Sequence, residues 1–237
     1  MIPHVNNCSG RTAVNVENIC YNTFEMNINL DMEEYTKATP LIDSENESVK
    51  EKALALTRGQ DDTIEKAKSL FYFVRDEIRY NAYLQRYLPE HFLASSTLSQ
   101  GLGFCFPKAV LLVALARAVN IPARLRHAHI RNHLLPDKIV NLLGSNVLPD
   151  HGYAELYLEG KWIKATPSFD LRTCQENRII PVEFDGKNDA KLHSHNQDGK
   201  LHIEYIKDCG HYADVPLDAI WEALTQVLGT TYIDFDK

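Results

Sequence analysis

Cys105 stands in the stretch SQGLGFCFPKAVLLVALARA (residues 99–118), between a glycine-rich turn and an apolar run. Proline is tolerated in the first turn of a helix and not in its interior, so Pro107 predicts a helix that starts near Phe106. Cys105 then falls at or beside the N-cap, where backbone N–H groups outside the helical ladder and the helix dipole favour negative charge. Such a position lowers a thiol's pKa from about 8.5 toward or below neutrality, and the thiolate is the nucleophile. The same N–H groups suit the oxyanion of an acyl transfer. The preceding Gly101-Leu102-Gly103 lets the backbone turn sharply beside a substrate. A small apolar filler behind a glycine turn is the plainer reading of the same residues.

A cysteine nucleophile needs a base, and the base usually needs an orienting partner. Among ten histidines, His151 opens the segment HGYAELYLEGKWIKATPS. That segment reads as a hairpin with Glu159-Gly160 at its turn, and a strand end can present a side chain over a neighbouring helix start. The second strand runs into ATPSFD, which offers Thr166 and Asp170 as partners for the other ring nitrogen.

Two further groups of imidazoles are visible. RHAHIRNH places His127 and His129 on one face of a strand with His133 just beyond, and LHSHNQDGKLH holds His193, His195 and His202 around a polar turn. Three imidazoles can hold zinc, but no accompanying carboxylate or water-activating Glu pattern is present. The acidic run DMEEY lacks the alternating oxygen ligands and central Gly of a calcium loop. The expectation is therefore no cofactor and no metal.

These residues need elements to hold them. IDSENESVKEKALALTRG predicts a helix opened by a Ser44–Glu47 capping box, with Val49, Ala53 and Leu56 on one face and Gly59 past its end. DDTIEKAKSLFYFVRDEIRY predicts an amphipathic helix from Ile64, Ala67, Phe71, Val74 and Ile78. Residues 80–104 read as a polar, aromatic connection. The Cys105 helix is apolar around most of its circumference, the mark of a central buried helix. NIPARLRHAHI reads as a turn into a strand, and another strand follows the Asp198-Gly199 turn. Helices first and an antiparallel sheet afterwards predict an α+β fold.

Composition limits the function classes. The chain has 237 residues, 44% hydrophobic and 24% charged, with a formal net charge of −7. Acidic balance argues against nucleic acid or another polyphosphate as partner. No long uncharged apolar span and no signal-peptide pattern is present, so the expected location is cytoplasmic with no membrane partner. Five scattered cysteines without a CxxC pair make a poor disulfide or zinc framework, and suit one functional thiol among bystanders.

Taken together, GLGFCFPKAVLLVALARAVNIPARLR and HGYAELYLEGKWIKATPS resemble the core of the transglutaminase-like superfamily. Gly103-Phe104-Cys105 is similar to that family's G-x-C, and Asn120-Ile121-Pro122-Ala123-Arg124 to its GIPAR-like turn. His151-Gly152-Tyr153-Ala154-Glu155 is similar to its H-x-aromatic-x-E strand, and Trp162 to its tryptophan strand. The resemblance covers about residues 64–170, flanked by extensions at 1–60 and 171–237 in what reads as one domain. It implies a papain-like α+β fold with the Cys-bearing helix packed on the sheet, and a Cys–His–acid triad. In most of the family an aspartate followed by Pro ends the tryptophan strand, and here that register holds Thr166 before Pro167. Stabilising an imidazolium beside a thiolate calls for a negative partner, so the expected triad is Cys105, His151 and Asp170, with Pro167-Ser168 folding the carboxylate back and Thr166 as the alternative orienting residue. Gln100, upstream of Cys105, is either an oxyanion donor, as an upstream glutamine is in papain-like proteases, or a solvent-facing loop residue. The implied activity is thiol-dependent acyl transfer on a protein or peptide substrate, hydrolytic rather than crosslinking, as in many microbial members. The alternatives are a non-catalytic peptide-binding module on the same fold and a metal-dependent hydrolase.

Overall fold

In a computed structural model, residues 32–84 and 88–228 are described. Helix α1 (Glu47–Leu56) starts at Asn46, whose side chain accepts the Ser48 N–H. The cap is thus Asn46 and not the expected Ser44, which is buried with its N–H donating to the Ile42 carbonyl. Helix α2 (Thr63–Glu77) is capped by Asp62 and buries Ile64, Ala67, Phe71 and Val74 of the predicted stripe together with Leu70, while Ile78, also buried, is its C-cap.

Residues 80–104 are more than a connection. A 3-10 turn (Pro89–Phe92) leads into α3 (Ala94–Gln100), which ends at Gly101 in the left-handed region, φ +63°. Strands β1 (Arg79–Tyr80) and β2 (Leu102–Gly103) then pair in parallel. This pair fixes the approach to Cys105 against the exit of α2.

Helix α4 (Cys105–Ala118) is buried at every position from Phe106 to Arg117. It packs against α1, α2 and α3 on one side and the sheet on the other, which is why its sequence is apolar all round. Two cations lie within it. Lys108 Nζ donates to the carbonyls of Arg75 and Ile78 at the end of α2. The Arg117 guanidinium donates to the carbonyls of Lys37, Ala123 and Ala213. Carbonyl partners satisfy the donors of both groups, while burial still pulls Lys108 down to about 7 and Arg117 to about 10.

The main sheet comprises β3 (Ala123–Asn132), β4 (Val147–Leu158), β5 (Lys161–Ala165) and β6 (Ile203–Tyr212), antiparallel in the order β5-β4-β3-β6. Glu159 (φ +47°) and Gly160 (φ +83°) make the β4–β5 turn, as the sequence predicts; two positive φ values suit the tight turn whose twist matches paired strands. Glu155 on β4 is buried and pairs with Arg124 and Arg126, and the Arg124 guanidinium lies 3.9 Å over the Trp162 ring. These three motif elements therefore hold β3, β4 and β5 together. At Gly152 a Cβ would meet the Phe106 ring at 2.5 Å, so β4 touches the first turn of α4 where only glycine leaves room.

Besides α3, the described residues hold three more helices beyond those expected: α5 (Asp137–Leu143), α6 (Leu171–Glu176) and α7 (Leu217–Leu228). The α+β class holds, although α5 and α6 lie between strands of the sheet and α7 follows it. Among the described residues no helix is long and apolar enough to cross a membrane.

Candidate active site

Cys105 is the first residue of α4, after Phe104 as N-cap. The helical ladder opens with Lys108 N–H on the Phe104 carbonyl. The N–H groups of Cys105 and Phe106 therefore precede the ladder, and Pro107 has none. The Cys105 thiol is half-buried and lies 3.8 Å from the Asp150 carbonyl. Beside this helix start a cleft of about 280 Å³ is lined by Phe104 and Pro107 together with Tyr83, His91, Thr97 and Gln100. Gln100 is exposed at that cleft.

His151 lies within β4 and not at its start, because the strand begins at Val147. It is 1% exposed, stacked on Tyr153 with ring centroids 5.7 Å apart. Its Nε2 is 3.3 Å from the phenol oxygen of Tyr205, whose ring stands edge-on at 5.6 Å. Burial pushes the imidazole down to about 4, against the pull of the neighbouring Asp150 carboxylate. A neutral ring at neutral pH keeps a lone pair for proton transfer. The structure brings Cys105 to the Asp150-His151 segment, since Asp150 touches the thiol and Tyr205 both contacts His151 and senses Cys105 electrostatically.

Asp170 is placed elsewhere. Its carboxylate accepts the N–H of Tyr80, the N–H of Thr173 and the Thr173 hydroxyl, which makes it the N-cap of α6. Burial raises its pKa, yet those donors and the Lys108 ammonium outweigh burial and hold the carboxyl low. Among the described residues no hydrogen bond joins Asp170 to His151. The expected fold-back fails because Phe169-Asp170 runs on into a helix start, a position that calls for a capping carboxylate. Thr166 does not reach His151 either: Ala165 pairs with Ala154, so β5 ends before the level of His151. The Thr166 hydroxyl adjoins Tyr205 without completing a hydrogen bond of good geometry.

Tyr205, on β6, is the residue that spacing does not reveal. A lone tyrosine in HIEYI reads as an ordinary strand residue; the β3–β6 pairing, with Ile130 opposite Tyr205, carries it to the site. The imidazole groups also sort themselves. His133 contacts Glu204, His193 the Pro181 carbonyl and His195 Ser194, while His202 is buried against Phe169. His127 and His129 stay together, with ring centroids 5.8 Å apart.

Residues 50–167 match the model of a family described as the transglutaminase-like superfamily. Among curated proteins none matches. Similar solved structures include a cysteine protease candidate from Cytophaga hutchinsonii, at 15% identity and TM-score 0.46, over 77% of this chain and 54% of that one. A protease candidate from Parabacteroides distasonis follows at 14% identity and TM-score 0.38, over 58% and 25%. The periplasmic domain of TgpA from Pseudomonas aeruginosa is similar at 19% identity and TM-score 0.38, over 52% and 42%. The chain thus spans about half the length, or less, of the structures it matches.

Proposed function

Because the chain belongs over residues 50–167 to the transglutaminase-like superfamily, we propose that it is a thiol acyl-transfer enzyme that hydrolyses amide bonds in a peptide or carboxamide substrate. The observation that carries this reading is the half-buried Cys105 thiol at the start of α4, against the strand segment that bears a buried, neutral His151. His151 takes the thiol proton as the sulfur forms a bond to the carbonyl carbon. The N–H groups ahead of the α4 ladder hold the resulting oxyanion. The C–N bond then breaks, the amine leaves with the proton from His151, and a thioester remains on Cys105. Water adds to the thioester as His151 accepts its proton, and loss of the sulfur releases the carboxylic acid and restores the thiol. Tyr205 in this scheme holds Nε2 so that Nδ1 serves the sulfur.

The test uses p-nitrophenyl acetate, which needs no knowledge of the natural substrate. A burst of one equivalent of p-nitrophenol and a single acetyl mass increment on Cys105 are expected. Cys105→Ser should abolish both, and His151→Ala should slow acylation by about 10²- to 10⁴-fold, the usual worth of a positioned base. No burst, with Cys105 alkylated no faster than Cys174 or Cys209, would leave a peptide-binding module in place of an enzyme.

A further inference from the structure

We propose that His127, His129 and Cys209 form a binding site for a zinc ion, apart from the Cys105–His151 pair and independent of its activity. One ligand atom from each of the three lies within 4.8 Å of the other two, the one such grouping among the described residues. Two strands build it. His127 and His129 share a face of β3 by the two-residue period of a strand. Between the pairs Arg126–His211 and Ala128–Asp208, β3 contributes His127 alone while β6 contributes Cys209 and Gly210. This bulge, with Gly210 at φ +96°, places Cys209 beside the two imidazoles.

The chemistry of His127 points to a ligand. It is 2% exposed, and its Nε2 lies 2.6 Å from the Pro149 carbonyl, which can only accept. Nε2 therefore carries the hydrogen, and Nδ1 is left as a lone pair that is buried and has no hydrogen-bond partner. Metal-bound histidines are held in this way, with the far ring nitrogen donating to a backbone carbonyl. A buried acceptor left unsatisfied costs about 1–3 kcal/mol, so it calls for an occupant.

Binding would form an S–Zn bond as the Cys209 thiol proton leaves to solvent, with no change of oxidation state. Two nitrogens and one sulfur suit zinc, which is borderline-soft and tetrahedral. Zinc bonds of about 2.0–2.3 Å require the ligand atoms to close up from their present spacing. His129 and Cys209 are half-buried and able to turn inward. Three protein ligands leave a fourth position for water.

The experiment uses the full chain, freed of metal with a chelator, in a Cys105→Ala background so that the helix-start thiol cannot supply the signal. Zinc titrated against a chromophoric competitor should bind one equivalent. Cys209→Ser and His129→Asn should each weaken it by roughly a hundredfold, since losing a direct ligand should cost at least as much as the 10- to 100-fold seen for supporting residues. His133→Asn should change nothing. Cobalt in place of zinc should give a thiolate charge-transfer band in the near ultraviolet that Cys209→Ser removes. Unchanged far-ultraviolet spectra would show that the variants still fold, as their half-buried positions lead one to expect. Absence of binding in the Cys105→Ala background, or equal binding by Cys209→Ser, would overturn the site.

Discussion

The phenol of Tyr205 can hold the His151 ring but cannot supply the negative charge that a carboxylate would. With burial dominating, His151 is neutral down to about pH 4. The acid limb of Cys105 acylation by p-nitrophenyl acetate is therefore expected well below pH 6.5, and a midpoint near 6.5 would mean that water reaches the ring. Tyr205→Phe removes one neutral hydrogen bond worth about 0.5–1.5 kcal/mol, so acylation should slow by roughly two- to tenfold. Asp170→Asn should behave differently, because it turns an amide donor toward either the Tyr80 N–H or the Thr173 N–H. It should cost about 1–3 kcal/mol in urea unfolding and leave acylation nearly unchanged. The opposite ranking would return the orienting role to Asp170. Cys105 was legible in sequence because a helix start is local grammar, written in Gly103 and Pro107. Asp170 misled for a related reason: an aspartate before a short helix is also local grammar, that of an N-cap.

At the scale of elements, α4 is the centre on which the other layers rest. Leu112 and Leu115 are fully buried, and truncating either to Ala should cost about 2–5 kcal/mol in urea melts. Changes below about 0.5 kcal/mol for both would deny α4 its central place. The α2 stripe, the α4 run and the β4–β5 hairpin were legible because periodicity and turn chemistry specify them within one window. The Ser44 box was misread by two residues, since Asn46 is an equally good cap nearer the first turn. Helix α7 was legible in principle: Pro216 precedes it, and Ile220, Ala223 and Leu224 form its buried stripe. The segment 80–104 was not, because β1 and β2 acquire strand geometry only by pairing with each other.

For the molecule as a whole, two buried imidazoles link stability to acid. His151 and His202 are both pushed to about 4 by burial, from an unfolded value of 6.5. Below 6.5 the unfolded chain binds protons that the folded chain refuses, so stability falls as pH drops from about 6.5 toward 4. At about 1.4 kcal/mol per pH unit, each histidine would cost roughly 2 kcal/mol by pH 5. Urea midpoints at pH 7 and pH 5 measure this directly, and equal midpoints would show that the rings are hydrated. The enclosure of α4 has one more consequence, which concerns time. An element walled in by three helices and a sheet opens only when the whole domain does, so its amide protons should be the last to exchange with heavy water. The exposed end of α3, Ser99 and the cleft residue Gln100, should exchange orders of magnitude sooner. Cys105 then sits on the border between the slowest and the fastest breathing parts of the chain.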